Sequence, residues 1–354
     1  MRLTRPYTAV LVVPTGIGAA IGGYAGDALP VARALSGAVD RLITHPNVLN
    51  GAQLYWPLPN VLYVEGYGLD QFAAGRWGLR SVHQNRIGLV LDQAIEPELR
   101  WRHLQVADAA RATLGLDLAD YVVTDAPLDV ELRTAASGAT WGTIGQPDSL
   151  LRAVDRVITQ AGAAAIAVVA RFPDDTGSLA LQQYRQGQGV DPLAGAEAVI
   201  SHLVVRSFQI PCAHAPALAA LPLDPTLSPR SAAEELGHTF LPCVLAGLSR
   251  APQFVTRAPA QPTDIWADQV DALVMPASAC GGSSILSLSA QAQLIAVHEN
   301  TTRMQVGAEA VGLRAWSVGS YLEAIGAIVA HRQGVVPAHL RSHLAQIQPI
   351  EKDR

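Results

Sequence analysis

The chain has 354 residues, of which 49% are hydrophobic and 16% charged, and its mean hydropathy is +0.21, enough apolar content for a deep core. A net charge of −5 gives no basic footprint for nucleic acid. Lys352 is the one lysine among 25 basic residues, which nearly excludes lysine-based catalysis because arginine holds its proton too tightly.

Three cysteines, Cys212, Cys243 and Cys280, make no disulfide framework in a chain of this size, and no C-x-x-C pattern is present. The opening MRLTRPYTAVLVVPTG has too short an apolar run for a signal segment, and nowhere does the sequence approach the roughly 20 apolar residues of a membrane helix. The expectation is a cytoplasmic protein with no membrane or nucleic-acid partner. The apolar surplus also suggests a homo-oligomer.

In chain order, YTAVLVV reads as a buried strand, PTGIGAAIGGYAGDA as a glycine-rich turn and LPVARALSGAVDRLI as a helix. Residues 44–80, rich in Pro, Gly, Asn and aromatics, read as a functional loop or small subdomain. IGLVLD is a strand, and EPELRWRHLQVADAARATLG is a helix with Pro at its start and Gly at its end. YVVTDAP is a strand, SGATWGTIGQP a second glycine-rich loop, DSLLRAVDRVITQAG a helix and AAIAVVARFPDD a buried strand. TGSLALQQYRQGQGVDP looks like a lid or linker. LAGAEAVISHLVV is then a helix, FQIPCAHAP a short strand and turn, and SPRSAAEELG a helix. Strand VDALVMP, strands QLIAVHEN and LRAWSV, and helix SYLEAIGAIVAHR close the chain.

Strands alternating with helical patterns predict an α/β fold, a mostly parallel sheet flanked by helices, arranged as two associated α/β lobes or as one body. The corresponding division is an N-terminal lobe over 1–175, a lid or linker over 176–192 and a C-terminal lobe over 193–345. A single domain is the alternative.

Ligands of such sheets bind beyond the carboxyl ends of the strands. The loop Gly16–Asp27 stands at such a place, and glycines let backbone N–H groups approach an anion. Gly16, Gly18, Gly22, Gly23 and Asp27 are its candidate contacts. The order does not match G-x-G-x-x-G, and no phosphate-loop lysine is present. The alternative is a purely structural turn. Ser137 and Thr140, in the second glycine-rich loop, add hydroxyl donors, or simply cap a helix.

The strongest element is Cys280-Gly-Gly-Ser-Ser between a strand and a helix. A thiol at a helix N-terminus is expected to have a lowered pKa, with Gly281 and Gly282 offering N–H groups and Ser283 and Ser284 donors. The bland alternative is a buried cysteine with serine caps. In PCAHAP, Cys212 and His214 share a face of an extended chain, which suits a thiol–imidazole pair or two metal ligands. No cofactor is evident. A divalent metal would need further ligands such as His45, Asp174 or Asp175. Polar strand exits add His45, Asn47 and Asn50, and Glu299 with Asn300. His103, His202 and His331 lie in helical patterns and read as packing or surface residues, Cys243 as core, and Glu323 as a helix-dipole partner.

Taken together, VVPTGIGAAIGGYAGDALPVARAL, THPNVLNGA, VVARFPDD, GVDPLAGAEAVISHLV, PCAHAP, LPCVLAGLSRAPQFV, ACGGSSILSLSA and SYLEAIGAIVAHR resemble the family catalogued as domain of unknown function 3326, over nearly the whole chain. The resemblance implies a cytosolic protein of photosynthetic lineage and brings no reaction with it. Locally, PCAHAPAL is similar to the segment carrying one catalytic thiol of glutamate and aspartate racemases, and SACGGSS stands where their second thiol segment would be. The usual threonine is Ala213 here, the usual asparagine is Gly281, and the order along the chain is reversed.

The resulting expectation is an enzyme acting on a small carboxylate- or phosphate-bearing metabolite. Cys280, His214 and Cys212 would carry proton transfer of the isomerase or racemase type, or thiol-mediated hydrolysis or acyl transfer. The alternative is a non-catalytic sensor using the same cleft.

Overall fold

The computed structural model describes residues 5–174, 177–237, 240–344 and 346–347. Two parallel sheets form its frame. The first runs in the order β14-β13-β12-β1-β2-β3, built from β1 (Thr8–Leu11), β2 (Arg41–Thr44), β3 (Val61–Tyr63), β12 (Val270–Pro276), β13 (Gln293–Val297) and β14 (Ala315–Val318). The second runs β10-β9-β5-β6, from β5 (Ile87–Leu91), β6 (Leu118–Val123), β9 (Ala165–Arg171) and β10 (Cys212–Ala217). Two antiparallel ribbons join them, β4 (Gly78–Arg80) with β11 (Gln253–Val255), and β7 (Val130–Thr134) with β8 (Thr140–Ile144).

Every residue of β1 and β5 is buried, as expected where helices cover both faces of a parallel sheet. The predicted helices with Pro at the start and Gly at the end are Pro97–Leu114 and Pro147–Ala161. Gly115 and Gly162 close them in the left-handed conformation, at φ 66° in both.

A division at 176–192 does not separate the two sheets. The first sheet takes three strands from each end of the chain, and the second is inserted between them. In each sheet the chain steps outward on one side of a central strand and returns on the other. The reversals fall between β1 and β12 and between β5 and β9.

Two local expectations, the helix over 29–43 and the strand-to-helix loop over 137–147, are corrected. The predicted helix over 29–43 stops at Ser36, and Arg41–Thr44 is β2. Gly37 and Asp40 break the run, and the apolar Leu42 and Ile43 that read as a last helical turn fill the sheet. Residues 44–80 carry regular structure, including β3, β4 and a helix over Gly66–Ala73. The second glycine-rich loop is the β7–β8 hairpin, not a strand-to-helix junction. The lid segment contains a helix over Leu179–Arg185, capped by the Ser178 hydroxyl.

Candidate functional site

A cleft opens where the exits of β1, β2 and β3 meet β10 and the helix Ala194–Phe208. Its lining includes Thr15, His45, Asn47, Asn50, Glu65, Asp191, Glu197, Ser201, His202 and His214. The helix contributes Glu197 and Ser201 from one face, because residues four apart stand on the same side of an α-helix, and His202 from the flank beside Ser201. Gly195 lets this helix lie against the β7–β8 hairpin: a Cβ there would meet the Thr140 oxygen and the Trp141 Cα at 2.3 Å each.

His45 follows β2, and its Nε2 accepts the backbone N–H of Val13 at 3.1 Å. Burial pushes its pKa down to about 4, with the nearby charge of His202 adding to the effect. His214 is in the middle of β10. Its Nδ1 lies 3.1 Å from Ser201 Oγ and its Nε2 3.8 Å from Glu197 Oε2. Its pKa is also pushed down to about 4, by burial first and then by His202.

Glu65 caps the helix Gly66–Ala73: its Oε2 accepts from the N–H groups of Tyr67 and Gly68 at 2.8 and 3.1 Å. Its Oε1 lies 2.5 Å from His202 Nδ1. Burial works against charge on His202, but the contact with Glu65 and the charges of Glu65 and Asp70 outweigh it and raise its pKa.

The carboxyls shift opposite to His45 and His214. Burial raises Asp191 to about 6. Glu197 is raised well above the usual range by burial and by the charges of Asp191 and Glu234. Beside the cleft, Glu234 is raised to about 8 by burial and by Asp191. Asp191, Glu197 and Glu234 therefore hold their protons more tightly than His45 and His214 do, the reverse of the order in water, whereas His202 stays outside this inversion.

The glycine-rich loop borders the cleft, but much of its hydrogen-bonding capacity is taken by the protein. Gly22 N–H donates to Asp27, Ile21 N–H to Asn300 Oδ1 at 2.9 Å and Ala25 N–H to Glu234 Oε1 at 2.5 Å. Gly16, Gly18 and Gly22 have φ of 71°, 59° and 90°, and Gly23 has no room for a Cβ, which would sit 2.2 Å from the Ala19 oxygen. Asp27 is paired with Arg230, whose guanidinium stacks over Tyr24, and Tyr24 stacks on Tyr184.

Asn47 braces the loop by donating to the carbonyls of Val13 and Gly22 at 3.0 and 2.9 Å, and Asn50 accepts from Tyr63 Oη at 3.5 Å. Thr140 ties the hairpin to the same place: its N–H donates to Gly16 O and its hydroxyl to Asp191 O, each at 2.8 Å. Ser137 sits at the exposed hairpin turn and is bonded locally to Ala139 N–H.

The Cys280 loop lies elsewhere, and none of residues 280–284 lines the cleft. Cys280 is fully buried, with its Sγ against the carbonyls of Pro276 and Ala277 at 3.8 and 3.5 Å. Burial raises its pKa. The expected lowering by a helix N-terminus fails because the thiol turns back to the strand-end carbonyls rather than toward N–H groups. Gly281 abuts Val306, Gly282 precedes the helix Ser283–Leu288, and Ser284 bonds Asp70. Cys212 is buried as well, and its thiol is pushed well above its usual range.

Glu299 accepts from Tyr321 N–H at 2.6 Å, and Asn300 bridges Ile21 to Tyr321 Oη, so both serve the frame. Asp174 is held by Arg171, which also pairs with Glu96; Asp175 lies outside the described residues. Among the described residues no group of three His, Cys, Asp or Glu side chains converges as a metal site.

Sequence reasoning reached His45, Asn47, Asn50 and His214 but passed over Glu65, Asp191, Glu197, Ser201 and Glu234, and read His202 as packing. One signal for three of them was present: Glu197, Ser201 and His202 are the polar residues of the otherwise apolar run AGAEAVISHLVV.

The comparisons fit this picture at the level of family. An uncharacterized lipoprotein of a Synechococcus strain is 62% identical over 339 residues, covering 96% of this chain and 94% of that protein. Its name lends no support to the cytoplasmic location expected from the sequence, although no helix among the described residues is long and apolar enough to cross a membrane. No solved structure matches the chain. The profile described as "Protein of unknown function (DUF3326)" matches residues 8–341, and the chain belongs to that family.

Proposed function

We propose that the protein is an enzyme that moves protons on a small polar metabolite bound in this cleft. His214 and Glu197 form its acid–base pair, and His45 donates a hydrogen bond to the substrate. The observation that carries this reading is the coexistence, in one cleft, of two imidazoles, His45 and His214, that burial disposes to neutrality and a carboxyl, Glu197, whose hold on its proton burial strengthens. In this reading His214 Nε2 acts as the base, and Glu197, whose hold on its proton burial strengthens, acts as the acid. The geometry favours proton-transfer isomerisation over thiol chemistry, because the thiols of Cys212 and Cys280 are buried with raised pKa values.

The lining contains Glu65, Asp191 and Glu197 and no arginine or lysine. The one cationic group in the lining is His202, and it is already engaged by Glu65. We therefore favour a neutral or amine-bearing polar metabolite over the anion expected from the loops.

The test begins with native mass spectrometry of protein purified from its own cells, to identify a retained small molecule. That molecule is then incubated with the protein in D2O and followed by NMR for deuterium uptake. H214Q and E197Q are expected to reduce exchange at least ~100-fold, the usual scale for a lost acid–base group, and C280S to leave it unchanged. Exchange that survives H214Q but fails in C280S would return the chemistry to the thiol. Retention of the ligand without exchange would assign the cleft to binding alone.

Two observations bear on the compartment. Cys212 and Cys280 are buried thiols, which suits a reducing environment, while the Synechococcus relative carries the name lipoprotein. Fractionation of the native cells with an antibody to the chain decides between them.

A further inference from the structure

Ser201 is buried in the helix Ala194–Phe208 at the one place where Glu65 and His214 come within reach of a single hydroxyl. Its Oγ lies 3.1 Å from His214 Nδ1, 3.4 Å from the carbonyl oxygen of Ala198 and 3.5 Å from Glu65 Oε1. A carbonyl oxygen only accepts, and so does a carboxylate oxygen. Two such oxygens compete for the one hydroxyl proton, and the oxygen lone pairs that remain face the imidazole.

We propose that Ser201 is a positioning residue that fixes His214 in the Nδ1–H tautomer, so that Nε2 meets Glu197 and the cleft as a bare lone pair. Glu65 is the group behind it, drawing the hydroxyl proton away from the ring while its other oxygen stays anchored on Tyr67 and Gly68.

His45 reaches the same tautomer by another route. The Val13 amide has a proton to give and nothing to accept with, so His45 Nε2 must be the acceptor and Nδ1 carries the hydrogen. The two neutral imidazoles thus present opposite functions. His45 offers an N–H and His214 a lone pair, and neither needs to rotate or exchange a proton with solvent to do so. A substrate bound across them would be polarised at one atom and deprotonated at another. The chemical meaning of this arrangement rests on the proton-transfer reading of the cleft, but the tautomers themselves do not.

The experiment uses the full-length protein labelled with 15N-histidine and long-range 1H–15N correlation spectra at pH 7, with H214Q and H45Q assigning the two rings. The expected wild-type pattern has a protonated, pyrrole-type Nδ1 and a pyridine-type Nε2 on both rings. S201A should lose that pure signature at His214 and give an averaged or reversed pattern, while His45 is unchanged. S201T, which keeps the hydroxyl, should restore it. A wild-type His214 with its proton on Nε2 overturns the proposal, and so does an S201A spectrum identical to wild type. If the tautomers are as stated while H214Q leaves deuterium exchange intact, the proton-transfer reading fails and the positioning of His214 by Ser201 stands.

Discussion

Glu234 Oε1 accepts the backbone N–H of Ala25 at 2.5 Å, so a carboxyl from the helix Pro229–Glu235 occupies the glycine-rich loop from within the protein. Its two oxygens also take the Tyr184 hydroxyl, at 2.8 and 2.7 Å. Asp27 does the same for Gly22. The loop does hold carboxyl groups at its amides, as glycine-rich loops are built to do, but those groups belong to the chain.

That contact has a pH signature. Burial raises Glu234 to about 8 from an ordinary value of 4.5, and Asp191 and Glu197 are raised too. A carboxyl with a raised folded-state pKa binds its proton more tightly when folded, so folding is favoured below the unfolded value and loses that support as pH rises toward the folded one. The carboxyl contribution falls between about pH 4.5 and 8, and because the buried histidines act in the opposite sense below pH 6.5, thermal melting should show the net loss between about pH 6.5 and 8. E234Q keeps an acceptor for Ala25 but cannot ionise, so it should melt higher than wild type at pH 8–9 and flatten the alkaline limb. An E234Q melting curve that tracks wild type at every pH would mean that Glu234 is charged in the fold.

The acid side runs the other way. His45 and His214 are pushed from 6.5 to about 4 by burial and by His202, so the unfolded chain binds protons that the fold refuses. Their contribution is present above about pH 6.5 and is lost as pH falls toward 4. The groups facing His214 are Glu197, Glu65 through Ser201, and His202, and none of them is removed by changing the ring. H214Q should therefore shift the acid limb of the melting profile to lower pH. A limb that does not move would show that His214 titrates normally.

The fold was legible in the sequence where burial makes strands uniformly apolar, as in IGLVLD and VDALVMP, and where Pro and Gly bracket a helix, as around Pro97–Leu114. It was illegible at β2, where three buried residues could extend a helix or start a strand, and at β7–β8, whose glycines resemble a loop. The candidate site was half visible. His45 and His214 stand at strand positions that local pattern picks out, whereas Glu65, Asp191 and Glu234 become neighbours only through the insertion of one sheet between the halves of the other. Cys280 misled because sequence places it before a helix without saying which way its side chain turns.

Gly195 makes one of the tight backbone contacts near the site. A methyl group there would lie 2.3 Å from both the Thr140 oxygen and the Trp141 Cα, and backbone atoms cannot step aside cheaply. G195A should force the helix away from the hairpin and cost about 1–3 kcal/mol, the scale of overpacking in a close-packed interior. Because Glu197 and Ser201 ride on that helix, ligand retention should fall along with the melting temperature. G138A is the control, since its glycine at the hairpin turn has open space around it, although its φ of 85° carries a backbone cost of its own. Equal ligand retention in G195A and wild type would separate the helix position from the cleft.

Cys280 supplies the last test, because its burial reverses the reactivity that its sequence context suggests. The residue is inaccessible, its Sγ faces two carbonyl oxygens, and its pKa is raised, as are those of Cys212 and Cys243, the latter to about 12. Thiolate is the reactive form, and a thiol that is both protonated and enclosed reacts only when the structure opens. Brief iodoacetamide treatment of the native protein at pH 7, followed by peptide mapping, should therefore leave all three cysteines unmodified, whereas the denatured chain takes three labels. C280S should fold, since a hydroxyl fits the thiol's space and can donate to Pro276 or Ala277. Rapid labelling of Cys280 in the folded state would show that the loop opens in solution, and would put the thiol back among the groups that a substrate can reach.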